Sequence, residues 1–267
     1  MAAPSTYLVT GANAGIGLEV ARGLARPGTR VVLACRDATK AEAARASILA
    51  GQPAAQVELV IVDLASQRSI REAAASFAAS HPTLDVLVNN AAVVSDTRKE
   101  TAEGVELVFA TNVLAYHLLT RSLLPLLERA PAARIVNVAS MMAGGLDVED
   151  VEWKRRRYDS ASAYSQSKQA NRMLTWALAR RLYGSKVTAN AVHPGAVNTP
   201  LLHALFPGMG GRTTAKGAET ILWLATSPEA AGVSGKFWSD LRESGCSFHN
   251  ERAEEALWAL CDRMTGS

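Results

Sequence analysis

The run Tyr7-Leu8-Val9-Thr10-Gly11-Ala12-Asn13-Ala14-Gly15-Ile16-Gly17 places a short apolar strand, a glycine turn and the start of a helix in direct succession. An Ala- and Leu-rich helical pattern continues from it to about Arg26. This order turns glycines into a candidate phosphate site. Glycines let the backbone approach a pyrophosphate, and the helix start offers free N–H groups at the positive end of its dipole. Gly11, Asn13, Gly15, Ile16 and Gly17 are therefore candidate cofactor contacts. The spacing G-x-x-x-G-x-G departs from the generic G-x-G-x-x-G, and in isolation it reads as an ordinary βα turn.

Working outward, apolar strands recur at Arg30–Cys35, Val57–Val62, Val86–Val88, Arg134–Val138 and Val187–Val192, with a short one near Lys236–Trp238. Helical patterns separate them at Ala38–Ala50, Gln67–Ala79, Thr101–Arg129, Ala161–Leu182 and Ala215–Ser227, and a last one covers Glu251–Met264. Near-continuous apolar strands alternating with helices predict an α/β fold: a doubly wound, Rossmann-type parallel sheet with helices on both faces, in a single domain over 1–267. Pro125 is expected to kink or break the long helical pattern. Two segments lack clean periodicity, a flap at about 141–160 and a Gly-containing lid at about 201–214.

Composition narrows the function. Of 267 residues 48% are hydrophobic and 20% charged, enough for a large core. A net charge of +3 is too small to argue for nucleic acid. Trp153-Lys154-Arg155-Arg156-Arg157 is basic, but Glu149, Asp150 and Glu152 largely cancel it, so a solvated flap is expected. Cys35, Cys246 and Cys261 are odd in number and lack metal-ligand spacing, which points to a reducing compartment without disulfides or metal. Met1-Ala2-Ala3-Pro4-Ser5 leads almost directly into the first strand, and no uninterrupted apolar run reaches membrane-spanning length. A cytoplasmic protein is the expectation.

In a doubly wound sheet the carboxyl ends of the strands share one crevice. Arg36 and Asp37 follow the second strand, where the adenosine ribose is read. Arg36, with Lys40 a turn later, favours a 2′-phosphate and hence NADP(H) over NAD(H), while Asp37 suits the N-cap of the next helix. Asp63 and Leu64 follow the third strand, where they either hold an adenine edge or simply form the loop. Asn89, Asn90 and Ala91 follow the fourth, with small residues for close cofactor approach and Asn side chains able to bridge strands. Ser140 ends the fifth strand, and Pro194, Gly195, Val197 and Thr199 follow the sixth. Tyr164 and Lys168 stand four apart on the next helix and share a face. A phenol beside an ammonium should ionise more easily, as a general acid–base for an alcohol or carbonyl oxygen requires. Such pairs are common on ordinary helices; the surrounding set gives this one its meaning.

Thr10-Gly-x-x-x-Gly-Ile-Gly17, Asn89-Asn-Ala91, Asn112, Ser140, Tyr164-x-x-x-Lys168 and Pro194-Gly195 resemble, in order, the pattern of the short-chain dehydrogenase/reductase family, over nearly the whole chain. The resemblance implies catalytic roles for Asn112, Ser140, Tyr164 and Lys168. Tyr164 would exchange the proton and Ser140 polarise the carbonyl. Lys168 would lower the Tyr164 pKa and bind the nicotinamide ribose, and Asn112 would hold a relay water. Within the family, Leu33-Ala-Cys-Arg-Asp37, Asn112-Val-Leu114, the long Ser140-to-Tyr164 interval with Trp153, and Gly235-Lys-Phe-Trp-Ser-Asp240 are similar to the retinol dehydrogenase-like branch, which usually prefers NADP(H). Ala92 stands where that pattern has glycine. The hydrophobic N-terminal anchor of many animal members has no counterpart, so membrane residence and retinoid substrates are not expected.

The resulting expectation is an NADP(H)-dependent oxidoreductase, of carbonyl reductase or alcohol dehydrogenase type, acting on a small lipophilic or aromatic carbonyl or secondary alcohol. Leu146, Trp153, Leu201, Leu202, Leu205 and Phe206 would wall its pocket. A second reading keeps the fold as a non-catalytic NADP(H)-binding regulator or scaffold, against which the intact Ser140, Tyr164 and Lys168 set argues. The resemblance suggests a homodimer or homotetramer through the long helices at 101–129 and 161–182, and the bulky flap leaves a monomer credible.

Overall fold

The computed structural model describes residues 4–266; Met1–Ala3, at the start of the segment read against a signal peptide, lie outside them. Eight strands form one sheet in the order β3-β2-β1-β4-β5-β6-β7-β8. They are β1 (Ser5–Thr10), β2 (Thr29–Cys35), β3 (Gln56–Ile61), β4 (Val86–Asn89), β5 (Ala133–Val138), β6 (Val187–His193), β7 (Phe237–Ser239) and β8 (Arg242–Glu243). The first seven are parallel, and the two-residue β8 pairs antiparallel with β7, an edge the sequence reading omitted. The order 3-2-1-4-5-6 is that of a dinucleotide-binding sheet, with its switch point between β1 and β4.

The apolar strands make sense as a sheet buried on both sides. Tyr7, Val9, Val31, Leu33, Val86 and Val88 face one core with α1 (Gly15–Leu24), α2 (Ala38–Gly51) and α8 (Thr214–Thr226). Leu8, Val32, Leu87, Ile135 and Ala189 face the other, with α3 (Gln67–Ser80), α5 (Ala115–Arg129), α6 (Ser160–Arg181) and α9 (Glu251–Thr265). Polar N-caps fix the helix starts: Asp37 accepts from the Lys40 amide, Ser66 from Ser69 and Asp159 from Ser162.

The long helical pattern differs from expectation at both suspected points. Helix begins at Leu107, as the short α4 (Leu107–Phe109), and not at Thr101. Pro125 sits inside an unbroken α5, on its exposed face, where solvent can satisfy the carbonyl the proline leaves unpaired. The irregularity lies upstream, in a fully buried π turn at Ala110–Leu114 that contains Asn112. The continuous stretch Leu107–Arg129 is long and apolar enough to cross a bilayer, but 78% of its apolar window is buried within the fold.

The flap is folded rather than loosely solvated. Asp150, 5% exposed, gathers the amides of Lys154, Arg155 and Arg156, and the Arg156 guanidinium stacks 3.9 Å over Trp153 while donating to Gln166 of α6. Lys154, Arg155 and Arg157 remain exposed, as expected of the charge run.

Candidate active site

The glycine turn folds as it does because its backbone allows nothing larger. Gly15 takes φ +59°, and a Cβ on Gly17 would lie 2.4 Å from the Gly11 carbonyl and 2.5 Å from Asn90 Nδ2. Asn90 donates through Nδ2 to the Thr10 carbonyl (2.8 Å), and the Thr10 hydroxyl accepts from the Asn90 and Ala91 amides. The ends of β1 and β4 are thus tied together under the turn, and Asn89 bridges to Asn137 of β5 (2.9 Å). The Ala14 N-cap has no side chain bonded to the first turn of α1, and that turn carries no acidic residue. Its amides are free for an anion.

Asn13 and Ile16 lie in this turn, and the loop after β6 closes on it: Thr199 Cγ2 is 3.6 Å from where a Gly15 Cβ would project. On the other side, Arg36 is exposed with no ion pair among the described residues, open to a ribose phosphate, whereas Lys40 is drawn to Asp37 (3.9 Å). Asp63 accepts from the Ala65 amide (2.9 Å) and its own amide donates to Ser69, so its role as a loop former is met; the neighbouring Leu64 is buried beneath. Gly11–Gly17 would hold the pyrophosphate, Arg36 the adenosine end, and Gly195–Thr199 the nicotinamide end.

Ser140 and Tyr164 share a cavity of about 170 Å³ with Ile16, Pro194, Gly195, Val197, Leu201, Leu202, Leu205 and Phe206. The lid contributes the short helix α7 (Pro200–Leu205), started by Thr199 as N-cap, followed by a loop pinned through Arg212 to Ala196 and Asn198. Leu146 and Trp153, expected in this wall, are elsewhere: Leu146 packs on the α5/α6 core, and Trp153 is buried with Val108 and Ala163. Met142, Met209 and His193 line the cavity instead. A larger hollow of about 770 Å³ opens at the amino ends of β5 and β6, and none of the expected catalytic or cofactor-binding residues lines it.

The Ser140 hydroxyl accepts from the Met142 amide (3.1 Å), which leaves its proton to donate, and its hydrogen bond to Tyr164 favours the phenolate. Burial outweighs that bond and pushes Tyr164 up to about 12. Lys168 does not offset this. Its Nζ, 5.7 Å from the Tyr164 ring centroid, donates to the Val138 carbonyl (2.8 Å), and burial lowers it to about 7. The expected depression of the Tyr164 pKa by Lys168 is therefore absent from this arrangement, because the ammonium is turned to the strand and is itself desolvated.

Asn112 is held by groups of the protein itself. Its Oδ1 accepts from the Val93 amide (2.8 Å), and Nδ2 donates to the Val93 carbonyl (3.0 Å) and to Ser167 Oγ (3.1 Å). A side chain so occupied clamps the β4 loop to α6. The π turn around it is anchored by Glu106, wholly buried, which accepts from the Val108 and Phe109 amides.

The short chain dehydrogenase family profile matches residues 5–210. Human retinol dehydrogenase 13 is 39% identical over 279 residues, covering 98% of this chain and 84% of that protein. Mouse retinol dehydrogenase 12 is 39% identical over 97% of this chain and 85% of its own length. Among solved structures, an uncharacterised protein from Mycobacterium paratuberculosis superposes with a TM-score of 0.82 at 35% identity, covering 99% and 96% of the two chains. An Escherichia coli short chain dehydrogenase complexed with NADPH has a TM-score of 0.73 at 26% identity, covering 88% and 95%. The chain belongs to the short-chain dehydrogenase family and is an oxidoreductase of that family.

Proposed function

We propose that this protein transfers hydride between NADP(H) and a carbonyl or secondary alcohol on a small lipophilic or aromatic molecule. The observation that carries this reading is the pair of hydroxyls, Ser140 and Tyr164, set together in the wall of one apolar cavity beside the glycine turn. The bound nicotinamide would supply or accept the hydride at its C4. Ser140, its lone pair engaged by the Met142 amide, would donate to the substrate oxygen and polarise the carbonyl. Tyr164 would pass its proton to the same oxygen in reduction and recover it in oxidation. Burial keeps Tyr164 protonated, the form that a reduction draws on. Lys168, desolvated behind it, would gain its ribose contact on turning from the Val138 carbonyl. The exposed, unpaired Arg36 supports a preference for the 2′-phosphate. Three free cysteines suit a reducing, cytoplasmic setting.

Tyr164→Phe tests the proposal. Consumption of NADPH over a panel of aldehydes, ketones and quinones should vanish while NADPH binding, followed by fluorescence, persists. Near-normal turnover in the variant would remove Tyr164 from the mechanism.

A further inference from the structure

His193 ends β6 and stands in the wall of the Ser140/Tyr164 cavity, immediately before the Pro194-Gly195 turn. The Met141 amide, next in chain to Ser140, donates to its Nδ1 at 3.1 Å. A backbone N–H can only donate, so Nδ1 is the acceptor and a neutral ring carries its proton on Nε2. The ring is neutral: burial, then the Arg172 and Arg212 guanidinium groups, hold His193 down to about 4. Nε2 has no partner among the described residues, and it is not one of the sealed, unsatisfied buried atoms. It is an N–H donor left open at the cavity.

The surroundings favour an acceptor there. Arg172, 4% exposed, reaches the Ser140 carbonyl and has no carboxylate partner among the described residues. Arg212 lies across Gly195, close enough that a Cβ on that glycine would meet its guanidinium at 2.6 Å, and among the described residues its charge is shared only with the exposed Asp240. The remaining wall, Ile16, Leu201, Leu202, Leu205 and Phe206, has no side-chain hydrogen-bonding group.

From this geometry we infer that His193 is a specificity residue whose Nε2–H binds a second oxygen of the substrate, so that the protein selects carbonyl compounds with an additional hydroxyl, carbonyl or carboxylate oxygen over purely hydrocarbon ketones. The inference rests on the oxidoreductase reading above. It replaces a uniformly lipophilic pocket with one that is apolar on the lid side and donating on the β6 side.

The test compares 2-hydroxy-1-phenyl-1-propanone with 1-phenyl-1-propanone, by kcat/KM with NADPH and by calorimetric binding of each compound in the presence of NADP+. Wild type should favour the hydroxyketone, and His193→Leu should lower the ratio of the two kcat/KM values by about three- to tenfold, the worth of one hydrogen bond. His193→Gln, which keeps an N–H donor, should restore most of the ratio, whereas a merely structural His193 would change both compounds alike. An equal ratio in wild type and His193→Leu overturns the inference. If wild type turns over neither compound nor any other carbonyl, the oxidoreductase reading fails. The calorimetric ratio then decides His193 on its own: a preference lost in His193→Leu supports the donor, and equal binding removes it.

Discussion

Lys168 Nζ donates to the carbonyl of Val138 at 2.8 Å, so the ammonium is fastened to the strand end that carries Ser140. Its burial has a sign that can be measured. With its pKa lowered to about 7, the native protein below that pH bears the full cost of a buried ammonium. Between about 7 and the ordinary lysine value near ~10.4, the unfolded chain holds a proton that the native state lacks, so this group raises stability with pH across that window. Tyr164, raised to about 12, acts oppositely, its contribution being present below ~10 and lost as pH climbs through 12. The Tm of Lys168→Met, relative to wild type, should therefore be highest near pH 6.5 and should fall by about 2 °C or more by pH 9.5. A difference in Tm that is flat with pH would contradict the buried, titrating ammonium.

Gly17→Ala tests the cradle. Its methyl would meet the Gly11 carbonyl and Asn90 Nδ2, and the backbone must give way. Overpacking of this kind costs about 1–3 kcal/mol, and the displaced turn should weaken NADPH binding at least about tenfold, measured by nucleotide fluorescence titration.

Arg36→Ala should reduce kcat/KM for NADPH by about 10–100-fold, the worth of one charged hydrogen bond to two, with little change for NADH. A wild-type preference for NADH would remove Arg36 from cofactor choice.

The long helices expected to pair two copies are already covered. Fourteen of the 22 residues of α6 are buried, and α9 lies along it, with Arg180 and Arg181 joined to Glu254 and Glu255 and Asp262 bonded to His117 of α5 (2.7 Å). Trp258 stacks edge-on against His117 at 4.6 Å. Light scattering behind size exclusion should find a monomer, and Trp258→Ala, which uncovers apolar surface on α5 and α6, should lower Tm and promote self-association.

Strands β1 to β7 were legible because each announces itself locally, as an apolar run ended by small or polar residues, whereas the two-residue β8, Arg242–Glu243, has no apolar run to read. The glycine turn and the Asp37 cap were equally local signals, and the Ser140/Tyr164 pairing followed from the rule that strand ends share a crevice. What escaped depended on partners far away in the chain. Trp153 looked like pocket wall until Asp150 folded the flap around it. Lys168 looked like a partner of Tyr164 until the Val138 carbonyl claimed it. His193 is one residue before the loop read as the site, and its position at a strand's carboxyl end was the available signal.

The π turn at Ala110–Leu114 carries one residue more than an α-helical turn would, and so advances the phase of everything after it by roughly 100°. That offset lets Val108 pack on Trp153 while Leu118, Leu119 and Leu123 still face the sheet core. Deleting a single residue there would give a more regular helix and a worse protein. Either Asn112 would swing away from Val93 and Ser167, or α5 would turn its leucines out of the core, so insertions and deletions that loops absorb freely have no harmless outcome in this segment.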